Sequence, residues 1–153
     1  MASTTRWVID TDWTDCGFIT TDFNSLASGS CAVSSSVTSS WDQYAEVSFS
    51  LVLGGTTTAT SYLDLYILPL GGASVSYGDG TITGSTLPAF HYRKASSGVK
   101  ILGSGSSIAG VFPAVVLPPG DYKYAIANQL GIALNASAAA SVKHRTFNIN
   151  LNA

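Results

Sequence analysis

Along much of this chain apolar and polar residues alternate with a period of two, and that period predicts strands. The clearest case is Ala45 to Leu53. There Val47, Phe49, Leu51 and Leu53 face one way, and Glu46, Ser48 and Ser50 face the other. Tyr62 to Leu68 repeats the pattern, with Leu63, Leu65 and Ile67 opposed to Tyr62, Asp64 and Tyr66. Gly54-Gly55 and a run of threonines join these two segments, which predicts an antiparallel pair. In Leu117-Pro118-Pro119-Gly120-Asp121, Pro119 pre-sets a tight turn and Gly120 supplies its left-handed residue. The following run puts Tyr122, Tyr124 and Ile126 on one face, with Lys123, Ala125 and Ala127 on the other.

Shorter signals fill the rest. Arg6 to Ile9, Cys16 to Thr20, Ser30 to Thr38 and Val111 to Leu117 read as strands. Phe90 to Lys94 and Gly98 to Leu102 flank Ser96-Ser97-Gly98 and predict a hairpin, and Asp79-Gly80 predicts a tight turn. Thr146 to Leu151 alternates Phe147, Ile149 and Leu151 against Asn148, Asn150 and Asn152. The Ala136 to Ala140 stretch is too short for a stable helix. Eight to ten short strands with Gly, Ser and Pro turns predict one all-β domain over residues 1–153. Its expected form is an antiparallel two-sheet β-sandwich, jelly-roll-like at this size. Trp7, Phe49, Tyr66 and Phe147 are candidate core fillers. Trp13 and Trp41 precede loop-like segments and either seal the ends of the sandwich or face a partner.

Composition narrows the function classes. Only 10% of the 153 residues are charged against 46% apolar, and Ser and Thr take the place of Lys and Glu. A net charge of -2 gives no drive toward nucleic acid or an anionic membrane. Arg93-Lys94 and Lys143-His144-Arg145 read as solvated strand ends. No apolar run has the length of a spanning helix, and Met1 to Asp10 lacks the apolar stretch of a signal peptide. A charge-poor surface resists association weakly, which hints at an assembly component. Cys16 and Cys31 pair only if their strands are neighbours, and read otherwise as two buried thiols.

Candidate chemistry is sparse. His91 and His144 lack a second ligand at metal spacing, no Gly-x-Ser-x-Gly elbow is present, and Gly103 to Ser107 lacks the lysine of a phosphate loop. Asp10, Asp12 and Asp15 could share a calcium ion, or simply form a turn with local Asx hydrogen bonds. Asp42, Glu46, Asp64 and Asp79 are too scattered to nominate as an acid pair. Asn135-Ala136-Ser137 matches a glycosylation acceptor by coincidence of composition. If the leucines beside them are core, Tyr62 and Tyr66 line an outer face that binds sugar or protein, or covers a loop.

The Leu117 to Gln129 segment, paired with the Asn-rich Thr146 to Leu151 strand, resembles the small β-sandwich virion proteins of tailed bacteriophages. In those a Pro-Pro-Gly turn precedes a strand ending near Asn, and a short Asn-rich strand closes the chain. The resemblance covers about a third of the chain and carries over no functional residue. It implies a non-enzymatic decoration (cement) protein, made in the host cytoplasm and resident on the capsid surface, without a cofactor. Its implied partners are the major capsid protein and other copies of itself, as a homo-oligomer. Contact candidates are Trp13, Trp41, Tyr62, Tyr66 and the Met1 to Thr5 segment. A tail or fibre component, or a carbohydrate-binding module using Tyr62 and Tyr66, stays open as an alternative.

Overall fold

The computed structural model describes residues 4–9, 12–38, 42–57, 60–71, 75–76, 94–100, 106–136 and 140–152. Among these, ten strands form two antiparallel sheets: β1 (Thr4–Ile9), β2 (Thr14–Asp15), β3 (Cys31–Val33), β4 (Tyr44–Val52), β5 (Tyr62–Gly71), β6 (Val75–Ser76), β7 (Lys94–Lys100), β8 (Ser107–Val116), β9 (Tyr122–Gln129) and β10 (Ser141–Asn152). Sheet A runs β1-β10-β4-β8, with β2 also on β10. Sheet B runs β3-β9-β5-β6, with β7 also on β5.

The pairings identify the topology. β1 pairs with β10, β3 with β9, β4 with β8 and β5 with β7, all antiparallel. The outermost strands of the chain pair, then the next inward, so the chain is one long hairpin ribbon. Wrapping that ribbon joins β10 to β4 in one layer and β9 to β5 in the other. This is a jelly roll, the topology expected at this size.

The predicted pairing of the two best-patterned segments is corrected. β4 and β5 lie in different sheets, and the Gly54-Gly55 stretch carries the chain across from one to the other. Each strand turns its apolar face to the shared core from opposite sides, so alternation alone could not distinguish a pair from a crossing. The hairpin expected at Ser96-Ser97-Gly98 is also corrected. β7 runs continuously through it, absorbing irregularity as register shifts opposite Leu63 to Tyr66. The Cys16 to Thr20 strand is replaced by a loop and a 3-10 turn (Thr20–Phe23). Gly17 sits there at φ +83, and the Asp22 carboxylate accepts the Ile19 N–H at 2.9 Å. The expected turn at Asp79-Gly80 and the candidate core residue Trp7's side chain lie outside the described residues.

One core joins the sheets. Ala45, Val47, Phe49 and Leu51 from β4, with Phe112 and Val115 from β8, meet Leu63, Leu65 and Ile67 from β5 and Tyr122, Tyr124 and Ile126 from β9. Each such large side chain contributes about 1.5–3 kcal/mol through burial. The Pro-Pro-Gly turn behaves as read, with Gly120 at φ +87 delivering Tyr122 and Tyr124 into the core. A second, smaller cluster lies on the far side of sheet B: Cys31, Tyr66, Leu68, Ala125 and Ala127. Tyr66 is therefore buried but outside the main core. Phe147 is likewise buried on the outer side of sheet A, stacked on Tyr44.

Candidate functional site

The outer face of sheet A carries the most distinctive group of surface side chains. Register sets it: Arg145 lies opposite Glu46, and Phe147 lies between Tyr44 and Ile9. Residues directly opposite across antiparallel strands are close enough to touch, and these do. The Arg145 Nε donates to Glu46 Oε2 at 2.7 Å, with Nη2 at 2.6 Å from the same oxygen. The guanidinium also lies 4.9 Å from the Trp13 ring centroid. Tyr44 and Phe147 stack at 5.7 Å with their planes 12° apart. Arg145 is thus spent on Glu46 and Trp13 and His144 is buried, so the reading of Lys143-His144-Arg145 as a solvated strand end is corrected for these two, while Lys143 is exposed near the start of β10.

Around this centre stand several exposed aliphatic side chains. Ile9 is 59% exposed, Val116 71% and Val111 46%. A hollow of about 280 Å³ is bounded by Ile9, Glu46, Ala114, Arg145 and Phe147. A second, of about 340 Å³, runs from Asp42, Gln43 and Tyr44 to Val116 and the Pro118-Pro119 turn. Phe147 borders the first and its stacking partner Tyr44 the second. Asn148 braces the second hollow: its Nδ2 donates to Asp42 Oδ1 at 2.9 Å, and its Oδ1 accepts the Gln43 N–H at 2.9 Å.

The predicted contact residues distribute unevenly. Trp13 is half-buried and belongs to this face through Arg145. Trp41 lies outside the described residues. Tyr62 is half-buried, but Tyr66 is only 3% exposed, which corrects the outward tyrosine platform. Both do sit on the outer side of sheet B, but that side is covered at Tyr66, Leu68, Ala125 and Ala127. Of the three acids, Asp10 is outside the described residues, and the other two make local turn bonds. Asp12 Oδ1 accepts the Trp13 N–H at 2.7 Å, and Asp15 Oδ1 accepts the Gly17 N–H at 3.1 Å. Among the described residues no group of three or more His, Cys, Asp or Glu could hold a metal ion.

Inside the sandwich one polar chain crosses between sheets. The Tyr124 hydroxyl lies 3.1 Å from His144 Nδ1 and 3.4 Å from the Tyr122 hydroxyl. Burial lowers the His144 pKa and raises those of both tyrosines. Neutral forms are favoured throughout, so the chain reads as a tie between layers. Cys16 and Cys31 are both buried thiols, and no disulfide joins them. Burial pushes them up to about 12 and about 11, which suppresses the reactive thiolate.

Sequence reasoning missed Tyr44, Glu46 with Arg145, and the outward role of Phe147. A signal was there: Arg145 and Phe147 share one parity on β10, so a solvated arginine and a core phenylalanine could not both be right for one face.

These features define an all-β two-sheet sandwich whose outer sheet A face carries an aromatic and aliphatic patch beside one ion pair. Among the described residues no helix is long and apolar enough to cross a membrane. Comparison with protein-family models, curated protein sequences and solved structures finds no match.

Proposed function

We propose that this chain is a non-enzymatic structural protein that docks through the outer face of sheet A onto a repeating protein surface, as a decoration protein on the capsid of a tailed bacteriophage. The observation that carries the docking is the pair of exposed aliphatic side chains Ile9 and Val116, each bordering one of the two hollows, with Val111 exposed further along β8. The Arg145–Glu46 pair leaves little net charge at the centre, and apolar area rimmed by polar groups is what partner surfaces are made of. The capsid setting rests on the resemblance of the Leu117 to Gln129 and Thr146 to Leu151 segments to virion sandwiches. Many copies, each with a modest contact, would make a durable layer by multivalency.

The test is direct. Mass spectrometry of particles encoding this chain should find it in the virion. Particles stripped of it should rebind the wild type, and rebind Val116→Glu at least tenfold more weakly. Val116 is exposed in the free chain, so this change should leave stability within about 0.5 kcal/mol. Equal occupancy by the variant would refute the face. Recovery in isolated tails rather than heads would move the protein to a tail or fibre role.

A further inference from the structure

We propose that β8 is the edge through which two copies of this chain join, strand to strand, about a two-fold axis at Ala109. β8 ends sheet A, and among the described residues it pairs only with β4. Its register with β4 is regular from Ser107 to Phe112: Val52 faces Ser107, Ser50 faces Ala109 and Ser48 faces Val111. One position beyond, the Leu53 N–H donates to the Ser106 carbonyl at 2.9 Å. Antiparallel ladders alternate hydrogen-bonded and non-bonded pairs. Ser106 therefore starts a series in which Ile108, Gly110 and Phe112 bond to β4. The backbone N–H and C=O groups of Ser107, Ala109 and Val111 point the other way, away from β4, and no other described strand pairs with them.

Edge strands are usually protected by charge, proline, a bulge or shortness. The second half of β8 has two such devices, Pro113 and a register shift between Ala45 and Val47. The first half has none. Ser107 to Phe112 contains no charged residue, whereas β1 carries Arg6, β2 carries Asp15 and β7 carries Lys94 and Lys100. β3 is uncharged but only three residues long.

The occupant that fits is a second copy. Only outward-bonding residues can pair, which sets Ser107 against Val111 of the copy and Ala109 against its own equivalent. A small residue then sits on the axis, no like charges meet, and about six new main-chain hydrogen bonds form. Pro113, which has no N–H, ends the ladder. Six residues a side is far below the roughly 20–30 of a standard interface, so the dimer is weak and forms at high local concentration. It would extend sheet A across the axis and set two outer faces side by side. This goes beyond the docking proposal and stands whatever that face meets.

Sedimentation velocity from about 10 µM to about 1 mM should show reversible dimerisation. Ala109→Pro removes one outward N–H without touching the β4 ladder, and should shift the midpoint at least tenfold upward while circular dichroism stays unchanged. Hydrogen exchange on the wild type is the second reading. The Ser107, Ala109 and Val111 amides should slow with concentration, while Ile108 and Gly110 stay constant. A monomer at every concentration overturns the proposal. So does a dimer that leaves those three amides unprotected, since its contact lies elsewhere.

Discussion

Replacing His144 by phenylalanine keeps an aromatic ring between the sheets but deletes the nitrogen that meets the Tyr124 hydroxyl at 3.1 Å. Near pH 8 the loss is one buried hydrogen bond, about 1–2 kcal/mol, since Tyr124 keeps only the Tyr122 hydroxyl at 3.4 Å. Acid changes the comparison. Burial lowers the His144 pKa from 6.5, against a smaller opposing pull from Asp15 and Asp42. The unfolded chain therefore takes up the proton first. The stability tied to neutral His144 is whole above 6.5 and is lost as pH falls toward the folded value. The slope is at most about 1.4 kcal/mol per pH unit, which bounds the loss between pH 6.5 and pH 5 at about 2 kcal/mol, or roughly 4–8 °C in melting temperature. Phenylalanine carries no such proton. Melts of both proteins near pH 8 and pH 5 should show the wild type falling further, with the variant's deficit shrinking or reversing. His91 and the carboxylates are common to both proteins and cancel. An equal drop in both would refute the assignment of His144 as a buried neutral group.

Asn128 is fully buried and holds three backbone groups: its Nδ2 donates to Leu26 O at 2.8 Å and Ile132 O at 2.9 Å, and its Oδ1 accepts the Leu130 N–H at 3.0 Å. Asn128→Ala should cost about 3 kcal/mol and lower the melting temperature by roughly 6–12 °C, measured by calorimetry. Cys16 and Cys31 should label slowly with a thiol reagent at about pH 8 and rapidly in denaturant, because burial keeps both protonated. Fast labelling of either thiol in the native protein would contradict its burial.

The strands themselves were legible because a buried face needs apolar residues at every second position. β4, β5 and β9 appear within a few residues of their predicted bounds. Partners were less legible. An inward face satisfied by the core is the same for a strand that pairs with its predecessor and for one that crosses to the other layer, which is why β4 and β5 read as a hairpin. His144 shows a different limit. It lies between Lys143 and Arg145, and charge on both sides read as solvent. Yet strand parity sends its side chain opposite to theirs, toward Tyr124.

The outer faces needed one more step of the same logic. Alternation says that a residue faces outward, not whether anything covers it. On β4 and β10 the outward residues include Glu46, Ser48, Ser50, Lys143 and Arg145, the signature of an open face. On β9 they are Lys123, Ala125 and Ala127, and Tyr124 to Ala127 is an unbroken apolar run. An unbroken run marks a strand buried on both sides. Tyr66 pairs with Ala125 and Asp64 with Ala127 on that same side, and all four are buried. A tyrosine platform facing solvent there conflicts with the composition of the neighbouring strand, whereas Tyr44 and Phe147 lie beside serines and an ion pair on the face proposed for docking.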